Sequence, residues 1–115
     1  MGVGSAVETN QSMPRLVLSL DGVVLREVNL TKDRTTIGRR SHNDLVIDNL
    51  AVSGEHAVMI MSGNDVYLED LGSTNGTTVN DDLEPIANDV PVPVKDGDRI
   101  HVGAWTTLTL RAPAG

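Results

Sequence analysis

The chain has no cysteine and no phenylalanine. The first absence removes disulfides, thiolate nucleophiles and cysteine-ligated zinc. It also fits a reducing compartment, so a cytoplasmic location is expected. The second absence leaves Tyr67 and Trp105 as the whole aromatic content, so a core must be built mostly from Val, Leu and Ile. No apolar run approaches the ~20 residues of a membrane-spanning helix. The N-terminus lacks the charged start and apolar centre of a secretory signal. Met1-Gly2 is not a myristoylation signal, because Ala6 stands where Ser or Thr is required. No membrane partner is expected. Basic residues are scarce as well: 9 Lys and Arg face 16 Asp and Glu, for a net charge of −7. Six acids lie between Asp81 and Asp98, with Lys95 the sole cation in that span. Such a surface repels a polyphosphate backbone, so a nucleic-acid partner is not expected.

At 115 residues the chain is long enough for one domain with one core. Residues 1–13 are small, polar and aperiodic, and are read as a disordered tail. The folded domain is expected over 14–112, with 113–115 as a short C-terminal tail. From Arg15 onward, β-branched and aliphatic runs alternate with turn residues. The runs are Arg15–Leu20, Val23–Val28, Thr35–Gly38, Leu45–Ile47, His56–Met61, Val66–Glu69, Thr77–Val79, Val92–Val94, Arg99–Val102 and Thr106–Arg111. Asp21-Gly22 between the first two is a hairpin signal. Ser62-Gly63-Asn64-Asp65 and Asp96-Gly97-Asp98 mark further turns. No segment holds a helical period. Many short strands with frequent turns predict an all-β sandwich or barrel. The three prolines between Leu83 and Pro93 predict an irregular connection or an edge strand.

Three short motifs sit in or beside loops: Ile37-Gly38-Arg39, then Val52-Ser53-Gly54-Glu55-His56-Ala57, then Asp70 to Asn80. Arg39 offers a planar fork of donors that matches phosphate oxygens, and Arg40 extends the only adjacent pair of cations in the chain. Gly38 lacks a Cβ, so a neighbouring loop or a ligand can approach closely. The Ser53 and Thr74 hydroxyls can donate to phosphate. Asn75 presents an acceptor and two donors in one planar amide, suited to the backbone of an extended peptide. Gly76 is expected to supply a positive φ in the turn, and Asn80 to tie the loop's backbone. Asp70 is expected to stabilise the turn beside it.

A nucleophilic reading of Ser53 with His56 fails on context. There is no Gly-x-Ser-x-Gly elbow, and no acid is placed by motif to orient the histidine. His56 is instead expected to hold its loop through hydrogen bonds to the backbone. His42, His56 and His101 lack metal-ligand spacing, and no dinucleotide or phosphate-loop glycine pattern occurs. No catalytic residue, metal or cofactor is expected.

The order and spacing of these motifs, with Asn43-Asp44 and Asp96-Gly97-Asp98, resemble the forkhead-associated family over about Arg15 to Arg111. The wording of the motifs is similar to bacterial members. The resemblance implies an eleven-stranded antiparallel β-sandwich whose loops at one end bind phosphothreonine in an extended peptide. It implies that Arg39, Ser53 and Thr74 meet the phosphate or its surroundings, that Asn75 holds peptide backbone, and that Gly38 and His56 support the site. One departure stands out. The position after the motif serine often carries Arg, Lys or Asn in the family and assists the phosphate, whereas here it is Gly54. Arg40 or the Gly54 backbone N–H can take over that task.

The expected function is therefore non-catalytic binding of a phosphothreonine protein or peptide in Ser/Thr kinase signalling, with a kinase as a further partner. The alternative is a scaffold β-sandwich that binds partners without phosphate. Thr9 in the tail, once phosphorylated, is a conceivable ligand for the domain's own site, but its plain reading as a solvated threonine is preferred.

Overall fold

A computed structural model describes residues 13–103 and 105–113; the expected N-terminal tail up to residue 12, with Thr9, and the last two residues lie outside the described residues. Ten strands and no helix occur among the described residues. They are β1 (Arg15–Leu20), β2 (Val23–Asn29), β3 (Arg34–Gly38), β4 (Leu45–Val46), β5 (Ala57–Ser62), β6 (Asp65–Asp70), β7 (Thr77–Val79), β8 (Val92–Val94), β9 (Arg99–Val102) and β10 (Thr106–Arg111). Each of the ten runs in the sequence becomes a strand, with no end displaced by more than one residue. The strands form two five-stranded sheets, ordered β2-β1-β10-β9-β7 and β4-β3-β5-β6-β8.

The alternation that marks these strands is the alternation of their burial. In β6, Val66, Leu68 and Asp70 point inward; in β10, Thr106, Leu108 and Leu110 do. The inner faces meet in a core of Leu16, Leu18, Ile37, Leu45, Met59, Leu68, Ile100, Val102, Leu108 and Leu110, among others. Burying each such side chain contributes about 1.5–3 kcal/mol. Neither aromatic joins this core: Tyr67 is half-buried, and Trp105 is 75% exposed.

Two details differ from the eleven-stranded antiparallel expectation. Ten strands are present, because the segment from Leu83 to Pro91 stays irregular. Its prolines deny it a ladder, and it is held by single bonds such as Ile86 N–H to the Thr77 carbonyl. Proline is tolerated in β8 because β8 lies at a sheet edge. The second detail is that β3 and β4 run parallel, pairing Ile37 with Leu45 and Gly38 with Val46. The intervening loop folds back on β3 through Asp44. Its carboxylate accepts the Thr36 N–H at 2.9 Å, and its own N–H donates to Thr36 Oγ1 at 2.9 Å.

Hairpin chemistry fixes the registers. Asp21 (φ 49°) and Gly22 (φ 84°) form a two-residue turn with both φ values positive, as a type I′ turn requires. In the second sheet Ile37 pairs with Ala57, and Ala57 with Asp70. The end of β3, the start of β5 and the end of β6 therefore lie side by side. Three loops leave the sandwich at that one end: 39–44, 47–56 and 71–76.

Candidate functional site

Gly38 is where the first two loops touch. A Cβ at this position would collide with the Gly54 carbonyl oxygen and lie 2.7 Å from Asn43 Nδ2. Only glycine permits that approach. The contact is closed by a backbone ladder between loops, Arg39 N–H to Ser53 O at 2.9 Å and Arg40 N–H to Gly54 O at 3.2 Å. Asn43, 6% exposed, adds two bonds from one amide, to Arg40 O at 2.9 Å and Gly54 O at 2.7 Å. Asn43 thus clamps the two loops together.

The third loop is organised by Asp70. This carboxylate is fully buried and accepts from Ser73 Oγ at 2.6 Å, Thr77 Oγ1 at 2.5 Å, and the N–H groups of Gly72 and Ser73 at 2.8 Å each. Burial by itself would raise its pKa. The hydroxyl donors Ser73 and Thr77, with the two backbone donors, outweigh burial and leave the pKa below its ordinary value. Asp70 is therefore an anion that sets the shape of 71–77. Ser73 Oγ also accepts the Gly76 N–H at 3.0 Å, completing the turn. Gly76 has φ 83°, the positive value expected of it.

His56 joins the second and third loops. Its Nδ1 lies 3.1 Å from the Ser53 backbone nitrogen, and its Nε2 lies 3.0 Å from the Gly76 carbonyl. A backbone N–H can only donate and a carbonyl can only accept, so the ring is neutral with its proton on Nε2. Burial lowers the His56 pKa, and the opposing effects of the Gly76 carbonyl and Asp70 do not reverse this. Both ring nitrogens are spent on backbone, so neither is directed at the Ser53 hydroxyl.

These supports leave a depression of about 240 Å³ lined by Arg39, Leu50, Ala51, Val52, Ser53, Gly54, Thr74 and Asn75. Five of the six expected ligand-binding residues line it. Arg39 is oriented by one bond, Nε to the Val52 carbonyl at 3.1 Å, which leaves its terminal nitrogens uncommitted among the described residues. Ser53 Oγ accepts the Thr74 N–H at 2.9 Å. An oxygen used in this way keeps its own proton for a ligand acceptor. Asn75 gives one amide proton to the Ala51 carbonyl at 2.8 Å and retains its oxygen and second proton. The sixth residue, Arg40, is exposed and lies across Gly54.

Asn80 is not at this site. Its φ is 55°, its Nδ2 bonds Asp98 Oδ1 at 3.1 Å, and its Oδ1 accepts the Arg99 N–H at 2.9 Å. It fastens the far end of β7 to β9. Conversely, Asn43, Ser73 and the wall Leu50 to Val52 belong to the site or its frame, though the sequence assigned them no role there. Asn43 was visible within the motif pattern. Ser73 had a signal in its place three residues after Asp70. Leu50, 90% exposed in a loop, had none.

Comparison with known proteins places the fold in a family. The family model of the FHA domain matches residues 35–103. The chain is 32% identical over 84 residues to the glycogen accumulation regulator GarA of Mycolicibacterium smegmatis, covering 73% of this chain and 50% of that protein. It is 34% identical over 85 residues to the oxoglutarate dehydrogenase inhibitor of Corynebacterium efficiens, covering 74% and 56%. The chain thus spans about half the length of these curated relatives. A solved FHA-domain structure, described for its phosphothreonine-dependent interactions, superimposes with a TM-score of 0.73 at 30% identity, over 88% of this chain and 99% of that one.

Proposed function

The chain belongs to the forkhead-associated domain family, whose members bind phosphothreonine peptides, and from that premise we propose that it is a non-catalytic reader of phosphothreonine made by a Ser/Thr kinase, acting in the cytoplasm. The observation that carries this reading is the shared depression. One guanidinium with free terminal donors, a serine hydroxyl with a free proton, a threonine and an asparagine amide converge there from three loops.

The chemistry follows from the donors. A phosphothreonine carries about −1.5 to −2 charge at pH 7 with three acceptor oxygens. Arg39 supplies charge and a fork of N–H groups; Ser53 and Thr74 supply hydroxyls. The Asn75 oxygen and remaining proton suit a peptide N–H and carbonyl of an extended ligand. Nothing in this set activates a nucleophile. The Ser53 backbone N–H, not its hydroxyl, meets His56, and the hydroxyl oxygen already accepts from Thr74. The depression binds an anion and releases it unchanged.

Calorimetric titration with a phosphothreonine peptide library and its unphosphorylated twin tests this. Arg39→Ala and Ser53→Ala are each expected to weaken phosphopeptide binding by at least about 1.5 kcal/mol, roughly tenfold, with the fold intact because both side chains lie outside the core. Equal affinity for the phosphorylated and plain peptides, unaffected by Arg39→Ala, would instead favour a phosphate-independent scaffold.

A further inference from the structure

Resting on that reading of the depression, we infer that Arg40 supplies the second cation to the phosphate, in place of a side chain at position 54, and that residue 54 is glycine because Arg40 occupies the space a side chain there would need.

The backbone does not demand glycine at this position, since Gly54 is not among the residues with positive φ. The space a side chain there would enter is filled instead by the flexible side chain of Arg40. A Cβ at position 54 would lie 2.7 Å from Arg40 Nε, 3.0 Å from Cγ and 3.1 Å from Cδ. The stem of Arg40 therefore runs across Gly54 in van der Waals contact, and Gly54 in turn lines the depression. The placement is held at both backbones. Arg40 N–H donates to Gly54 O, and Asn43 Nδ2 ties Arg40 O to Gly54 O.

Arg40 has no competing use. Among the described residues its guanidinium has no hydrogen-bond or ion-pair partner. Asp44, the acid nearest Arg40 in sequence, is bound by Lys32 at 2.5 Å, and Glu55, the acid beside Gly54, lies 3.9 Å from His42 Nε2. An uncommitted guanidinium held at the edge of a hydroxyl-rich depression is suited to a dianionic phosphate ester. Arg39 lines the depression from the β3 end, and Arg40 lies over Gly54, which lines it in turn. The chain thus places on the 39–44 loop a charge that the resemblance would place on the 47–56 loop.

Coupling between the two positions distinguishes this from two independent contributions. Isothermal titration of one phosphothreonine peptide against the parent, Arg40→Ala, Gly54→Ala, the double variant Arg40→Ala/Gly54→Ala and the exchange Arg40→Ala/Gly54→Arg gives the cycle. Circular dichroism and urea unfolding monitor the fold. Arg40→Ala is expected to lose at least tenfold in affinity and to flatten the dependence of affinity on salt. Gly54→Ala is expected to lose affinity by displacing Arg40. The double variant is expected to bind no more weakly than Arg40→Ala, and the exchange variant to recover most of the loss. Arg40→Ala binding within twofold of the parent would overturn the assignment, as would strict additivity of the two alanine substitutions. Should Gly54→Ala fail to fold, Arg40→Ala and the exchange variant decide alone. A parent that does not prefer the phosphopeptide would overturn the phosphothreonine reading itself, an outcome separate from a binding parent that ignores Arg40.

Discussion

Asp70 holds the loop that presents Thr74 and Asn75, so replacing it tests the frame of the site and not its contact atoms. Four donors converge on the carboxylate: two hydroxyls and two backbone N–H groups. A hydrogen bond to a charged group contributes about 1.5–3 kcal/mol net, and four would sum to roughly 6–12 kcal/mol. Keeping the ion out of water costs several kcal/mol and offsets much of this. Asp70→Ala leaves the fully buried Thr77 hydroxyl without its acceptor, and its expected cost is about 3 kcal/mol. Asp70→Asn keeps one oxygen for the two N–H groups but turns an NH₂ toward the hydroxyls of Ser73 and Thr77. Its expected cost is about 1–2 kcal/mol, small enough for a domain of ordinary stability to stay folded. The assay is urea unfolding across pH, paired with phosphopeptide titration. Because Asp70 has a pKa lowered in the fold, the folded state binds its proton less tightly than the unfolded state. Its stabilisation is complete above the ordinary value of 3.8 and is lost as pH falls through the lower folded value. Parent and Asp70→Asn should therefore converge in acid. Equal stability of the two at neutral pH, with parallel acid profiles, would refute the role given to Asp70.

Gly38→Ala should cost about 1–3 kcal/mol of stability and weaken phosphopeptide binding without touching the ligand, because its Cβ would push the 39–44 and 47–56 loops apart; urea unfolding and titration check both effects. His56 has a lowered pKa, so its contribution to stability is present above its ordinary value of 6.5 and is lost as pH falls through the lower folded value; His56→Asn should remove that component from the pH profile of unfolding. Phosphothreonine should be preferred to phosphoserine in matched peptides. The depression has an apolar wall of Leu50, Ala51 and Val52 beside its phosphate donors, and burying one methyl contributes about 0.8 kcal/mol, or several-fold in affinity; equal binding of the two peptides would count against a methyl recess.

What the sequence disclosed and what it concealed divide along one physical line. Strands were legible because burial alternates with residue type: Leu16 and Leu18 in β1, Ile100 and Val102 in β9. Turns were legible where a backbone conformation demands a residue, as at Gly22 and Gly76. Arg39, Ser53, Thr74 and Asn75 stood out in the sequence because few other side chains offer their donors, and the fold brings them around one depression. Contacts made to backbone carbonyls left no trace, since every residue has one. Arg39 is oriented by the carbonyl of Val52 and Asn75 by that of Ala51, whereas the backbone role of His56 was expected and only its partners, the Ser53 N–H and the Gly76 carbonyl, were not. Asn80 shows the opposite error. It follows the Asn75 loop closely in sequence, but β7 separates them. Three extended residues span about 10 Å, and the pairing of Val79 with Ile100 carries Asn80 to the opposite end of β9. Gly54 is the hardest case. As a letter it is a missing charge. In the fold it is the floor on which the Arg40 stem lies. A glycine in a binding motif can thus record a neighbour's side chain as well as a backbone angle, and only the three-dimensional contact separates the two.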